Sequence, residues 1–215
     1  MTEAIAITRE TGNLQYRVAT TSQLGALYCQ QGRWQPAREL LEQALQLSLD
    51  AGLPISAMFA RRFLGAALVR LGETEAARRE LERAAATARE NALTAMELAC
   101  VRDLARADIA QGHHASAMSR LRPMLVAPAG TKRGLAGLQA TALYGEWLAA
   151  RGREGEAMQL WQAVLGDTRL DAGSRIDLCA RRAALGAAEP PADAQPLSAD
   201  DWAARALAEP EDRAP

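Results

Sequence analysis

Leu24-Gly25-Ala26-Leu27-Tyr28-Cys29-Gln30-Gln31-Gly32-Arg33-Trp34-Gln35-Pro36-Ala37-Arg38-Glu39-Leu40-Leu41 decides the fold, because its pattern returns every forty residues. Gly32 is followed by Gly72, Gly112 and Gly152, and Ala37 by Ala77, Ala117 and Ala157. Leu24 returns as Leu64, Leu104 and Tyr144; Leu41 returns as Leu81, Leu121 and Trp161. A fixed period of this length is the signature of a stacked repeat, in which each unit completes the core of its neighbour.

Within one period the residues read as two helices. Val18, Leu24, Leu27 and Tyr28 mark one face of a helix over 15–31. Gly32 ends it, where the chain must turn left-handed. Pro36 stands in the first turn of the next helix, over 35–49, where its missing N–H costs little. There Ala37, Leu40, Leu41, Ala44 and Leu45 follow the i, i+3, i+4 spacing of an amphipathic stripe. The later units repeat this with helices near 55–71 and 74–90, 94–111 and 115–126, and 135–151 and 154–166. The alanine after each turn sits where paired helices cross closely, since a larger side chain would hold the backbones apart. The chain is therefore expected to be all-α, a stack of antiparallel helix hairpins with repeats at about 14–53, 54–93, 94–133 and 134–171.

Beyond the repeats, 172–187 is expected to be a capping helix with Ile176, Leu178, Cys179 and Leu185 apolar. Residues 188–215 are Pro-, Asp- and Ala-rich. There Ser198-Ala199-Asp200-Asp201 resembles a helix start ahead of Trp202, Ala206 and Leu207. Two readings stand for that segment: a short helix at 198–208 docked on the array, or a disordered tail. At the other end, Ala4 to Gly12 align with Ala44 to Gly52, so 1–13 read as half of an earlier repeat. Such a half repeat cannot cover both its faces. Ile5 and Ile7 are expected to dock on a preceding helix of a longer parent protein or on a second copy of the chain.

Bulk composition narrows the function. With 49% of its residues hydrophobic the chain can build a continuous core, and a net charge of −1 gives no global attraction to nucleic acid or anionic membrane. Charge is uneven: the middle of the sequence is mildly basic and the C-terminal part mildly acidic. The three cysteines, Cys29, Cys100 and Cys179, are far apart and form no CxxC, which fits a reducing cytoplasm. No apolar run reaches the roughly 18–20 residues that cross a bilayer, and MTEAIAITRE lacks the pattern of a signal peptide.

The residues resemble the tetratricopeptide repeat. Its signature, a large apolar residue, a small one, an apolar or aromatic residue three later, a turn glycine and a later alanine, stands here as Leu24-Gly25, Tyr28, Gly32, Ala37. It returns as Leu64-Gly65, Leu68, Gly72, Ala77 and as Tyr144-Gly145, Leu148, Gly152, Ala157. The third unit departs, with Ala105 for the glycine and Asp108 for the apolar residue. The usual period is 34 residues. Forty-residue versions are similar to the arrays of bacterial signalling ATPases and transcription regulators of the maltose-regulator type. The resemblance implies a right-handed superhelix whose first helices line a concave groove that binds protein segments.

No motif for chemistry appears. There is no GxxxxGK[ST], HExxH, CxxC or GxSxG, and Lys132 has no phosphate-loop frame. His113-His114 fall in a turn and read as solvated, with a metal or pH-sensing role as the sharper alternative. Neither enzyme, cofactor nor metal is expected. In the register implied by the resemblance, Ser22, Cys29, Phe59, Arg62, Arg70, Arg102, Arg106 and Glu146 face the groove. Arg62 and Arg102 hold equivalent places in successive units, and guanidinium forks suit a carboxylate-rich peptide. The bland reading is that Asp103, Glu97 and Asp108 absorb the arginines in surface ion pairs. The Lys and Asn of the chaperone-tail clamp are missing, with Ser22, Ala26, Arg62 and Ala66 in their places. Direct nucleic-acid binding is not expected, since no aromatics interleave the basic residues. Reversing the charge of Arg62 and Arg102 together is expected to weaken an acidic partner with little loss of helicity. The array thus reads as a cytoplasmic protein-interaction module or as a peptide or small-ligand receptor that uses the groove as a switch.

Overall fold

The computed structural model of the chain describes residues 14–126, 134–186 and 197–209. The expected half repeat over 1–13 and the loop over 127–133 lie outside the described residues. The regular structure described is helical: α1 (Leu14–Gln30), α2 (Trp34–Asp50), α3 (Pro54–Arg70), α4 (Thr74–Glu90), α5 (Thr94–Ala110), α6 (His114–Leu125), α7 (Leu135–Ala150), α8 (Glu154–Gly166), α9 (Ala172–Ala184) and α10 (Ala199–Ala208). The helices form sequential antiparallel pairs, the arrangement that the period predicts. Two compact units result, Met1–Ala107 and Asp108–Pro215, with the division inside α5.

The hairpin turns follow directly from the repeated glycine. Arg33 N–H donates to Tyr28 O at 2.9 Å and Gly32 N–H to Cys29 O at 3.1 Å, the paired bonds of a Schellman end. The same pair closes α3 (Glu73 to Leu68, Gly72 to Val69) and α7 (Arg153 to Leu148, Gly152 to Ala149). The pair requires a left-handed residue, and Gly32, Gly72, Gly112 and Gly152 have φ of 71°, 81°, 75° and 76°. At the turn after α4 the same geometry falls on Ala92, with φ of 54°. An L-residue there is strained by about 1–2 kcal/mol, against about 0.5–1 kcal/mol of extra chain entropy for glycine. Ala92→Gly is therefore expected to raise stability by up to about 1 kcal/mol, read as a higher denaturant midpoint at unchanged slope.

In the first unit α1 packs on α2, α2 on α3, α3 on α4, and α1 also lies against α3. The core joins Leu41, Leu64, Leu68, Leu81 and Leu104 with fully buried Ala37 and Ala77. The pairing of small with large is tight. A Cβ on Gly65 would stand 2.5 Å from Leu81 Cγ, so glycine is what lets α3 and α4 meet this closely. Burying each such leucine stabilises by about 1.5–3 kcal/mol.

In the second unit α6, α7, α8 and α9 pack in sequence, and α10 lies back across α6, α7 and α8. Asp108, which breaks the apolar pattern, is fully buried yet satisfied: Arg120 Nε and Ser116 Oγ donate to its Oδ2 at 2.8 and 2.7 Å. Of the two readings for the C-terminal segment, α10 is the helix. Ser198 Oγ accepts the Asp201 N–H at 3.1 Å, and Asp201 Oδ2 accepts the Ser198 N–H at 2.9 Å. No described helix is long and apolar enough to cross a membrane.

Candidate interaction face

The sequence-derived groove residues separate into three groups. Arg62, Arg102 and Arg106 come together in the first unit. Arg62 lies on α3 and the other two on α5, and all three converge on the Asp103 carboxylate. Arg62 Nη2 is 3.3 Å from Asp103 Oδ2; Arg106 Nη1 and Arg102 Nε are 3.4 and 3.7 Å from Oδ1. Asp103 is buried, 2% exposed, and the three arginine side chains are 14–20% exposed. The pairing of Arg102 and Arg106 with Asp103 is the one expected from the sequence, but the carboxylate is interior and Arg62 joins it from α3. Burial alone would push the Asp103 carboxyl up. Arg62, Arg102 and Arg106 outweigh that penalty and hold it below its ordinary range.

Local sequence explains the arrangement. Asp103 stands forty residues after Phe63 and forty before Leu143, a place where those units put an apolar side chain inward. Arg106 is one turn from Asp103 on the same helix. Arg62 arrives from α3 and is braced from the other side, its guanidinium lying 4.6 Å over the Phe63 ring. On α3, Ile55 and Phe59 precede Arg62 by seven and three residues, on the same helical face. They remain 36% and 40% exposed. The residues forty before and after Phe59 are Ala19 and Ala99, so the aromatic ring has small neighbours in the flanking units. Arg70, further along α3, is exposed with its guanidinium 5.4 Å from the Trp34 ring centroid.

Ser22 and Cys29 are core residues, not lining. Ser22 is 8% exposed and its Oγ has no hydrogen-bond partner. Cys29 donates to Phe63 O at 3.8 Å, and burial pushes its thiol up to about 12. Burial does the same to Cys100, also to about 12, so neither is a nucleophile near neutral pH. Glu146 belongs to the second unit, where it pairs with Arg181 of α9. His113 is exposed as expected. His114 is half-buried, edge-on to Trp147, whose Nε1 donates to His114 O at 3.0 Å.

Asp103 is the residue that sequence reasoning undervalued. The available signal was its place in the period, a carboxylate where Phe63 and Leu143 are apolar. What the α3–α5 face can do follows from its parts. It offers cationic planes already held in position, beside an exposed aromatic ring. A guanidinium carries five N–H donors in a fixed fork that matches a carboxylate.

Residues 17–49, which span most of the first hairpin, match the tetratricopeptide repeat family. Comparison with curated proteins and with solved structures finds no match.

Proposed function

We propose that the chain is a non-enzymatic protein-interaction module that receives an acidic, partly apolar segment of a partner on the α3–α5 face. The observation that supports this most is the convergence of Arg62, Arg102 and Arg106 on buried Asp103 next to exposed Phe59. Asp103 draws the three guanidiniums together before any ligand arrives, with Arg106 hydrogen-bonded to it at 3.4 Å, so less side-chain entropy is lost on binding. Partner carboxylates would meet the arginine forks, and one apolar partner residue would cover Phe59. By its likeness to repeat arrays of bacterial regulators, the module serves as a scaffolding or sensing segment of a cytoplasmic signalling or transcription-regulatory protein. The receptor alternative calls for buried Arg62 and Arg102 above Phe59 as the floor of a closed pocket; the two arginines are 14% and 15% exposed, but Phe59 is open. Its 40% exposure favours an open docking face instead.

The variants that test this must respect Asp103. Reversing Arg62 and Arg102 together would set three carboxylates side by side, so the sequence-based expectation of little structural loss changes to one of marked destabilisation. Phe59→Ala and Arg102→Gln are milder. An acidic synthetic peptide with one central leucine is expected to bind the native chain, more weakly as salt rises. Each substitution is expected to weaken it about tenfold, or about 1.4 kcal/mol. Equal affinity of both variants and the native chain in a calorimetric titration would remove this face from consideration.

A further inference from the structure

The forty-residue period places the second helix of a fifth hairpin near 194–206, where it would cover α9 as α8 covers α7. Helix α10 occupies that stretch of sequence but lies across α6, α7 and α8. Ile176, Cys179, Ala180 and Ala183 of α9 stay exposed. The surface that α10 has taken instead is built to receive a helix. Ala199, Trp202, Ala203 and Ala206, at i, i+3, i+4 and i+7, are all buried against it, Trp202 to 1% exposure.

The polar contacts cluster at the far end. Arg122 donates to Leu207 O and Glu209 O at 2.9 and 2.5 Å, taking up carbonyls that the helix end leaves without partners. The Glu209 carboxylate accepts from Tyr144 OH at 2.8 Å and from Arg153 Nη1 at 2.5 Å. Along the sides, Arg205 pairs with Glu156 at 3.0 Å and Arg169 with Asp200 at 3.4 Å. The fit is incomplete. Trp202 Nε1 and Arg122 Nε are buried without a hydrogen-bond partner, a standing cost that another occupant can avoid.

We propose that this α6–α7–α8 surface is a helix-docking site, and that α10 is its resident competitor for an amphipathic helix of a partner protein. The resident defines the chemistry of the incoming helix. It carries one aromatic residue, small residues one and four positions later, C-terminal carbonyls to meet Arg122, and a carboxylate just past its C-terminal end to meet Tyr144 and Arg153. A tethered helix acts at a high effective concentration, so the site is closed to weak ligands and opens only to a better-fitting helix.

The test uses the full chain with a protease site placed between 187 and 196, cut after folding so that α10 loses its tether while the fold is already formed. The probe is a fluorescein-labelled peptide of residues 197–212, alone and with Glu209→Lys. The cut chain is expected to exchange its fragment for the labelled peptide, and the uncut chain to bind it about tenfold or more weaker. The Glu209→Lys peptide, and an Arg153→Glu chain, are expected to lose about tenfold in affinity. An uncut Trp202→Ala chain is expected to admit the native peptide, which gives a second reading without cleavage. A cut chain that retains its fragment through gel filtration and takes up no peptide would make α10 a permanent part of the fold and overturn the proposal. Equal uptake of native and Glu209→Lys peptides would overturn it as well.

Discussion

Gly145→Ala is expected to destabilise the second unit by about 3–5 kcal/mol, the sum of overpacking and a lost hydrogen bond. A Cβ at this position would stand 2.2 Å from Trp161 Nε1 and 2.8 Å from two further ring atoms. The indole is 2% exposed and its N–H donates to Ala142 O at 2.8 Å. It cannot step aside without breaking that bond and forcing its neighbours apart. The other repeats indicate the remedy. The first and second keep glycine even opposite leucine, where a Cβ would stand 2.6 and 2.5 Å from Leu41 and Leu81 Cγ, but the third accommodates Ala105 opposite Leu121. Trp161→Leu should therefore recover much of the loss when added to Gly145→Ala, although it costs stability alone. Denaturant melts of the four members of this cycle give the coupling between the two sites. Additive losses would mean that the glycine does not serve the close approach of α7 and α8.

Asp103→Asn is expected to cost about 3 kcal/mol, because it removes the buried charge on which three guanidiniums converge, at nearly constant shape. Removing charge alone separates this effect from cavity formation. Acid titration provides an independent reading. The Asp103 carboxyl is held below its ordinary range in the folded chain, whereas in the unfolded chain it titrates near 3.9. Between those two values the unfolded state binds more protons, so stability rises with pH there. The contribution is fully present above about pH 4 and is lost as pH falls through the lower, folded value. The Asn variant should lack that part of the acid dependence. A variant as stable as the native chain, with the same acid profile, would show that the arginines do not depend on Asp103.

The fold was legible because its rules are local and repeated. Gly32, Gly72, Gly112 and Gly152 each close a Schellman end whose hydrogen bonds need only the residues just before them. The crossing alanines, such as Ala37 and Ala157, follow from the spacing of one hairpin. The start of α10 was equally local, since Ser198 and Asp201 satisfy each other's N–H groups. Where α10 docks was not legible. Its donors, Arg122, Tyr144 and Arg153, lie 56 to 87 residues away in sequence and have no periodic relation to it. Register points to the arginines but not to their geometry. Asp103 resembles an ordinary helix-surface acid until its place is compared with Phe63 and Leu143. The register places Cys29 on an open wall, whereas its helix turns it against the Phe63 carbonyl. Turn signals and core periodicity are one-dimensional, whereas the convergence of α3 and α5 on a single carboxylate is set by packing between elements.

The most direct measurement is a titration of the native chain, with arginine side chains labelled with nitrogen-15, by the acidic leucine-bearing peptide. Saturable shifts of the Arg62, Arg102 and Arg106 guanidinium signals, with Phe59 ring signals moving in step, are the predicted result. Shifts confined to arginines of α4, such as Arg79 and Arg83, or the absence of any shift at saturating peptide, would contradict it.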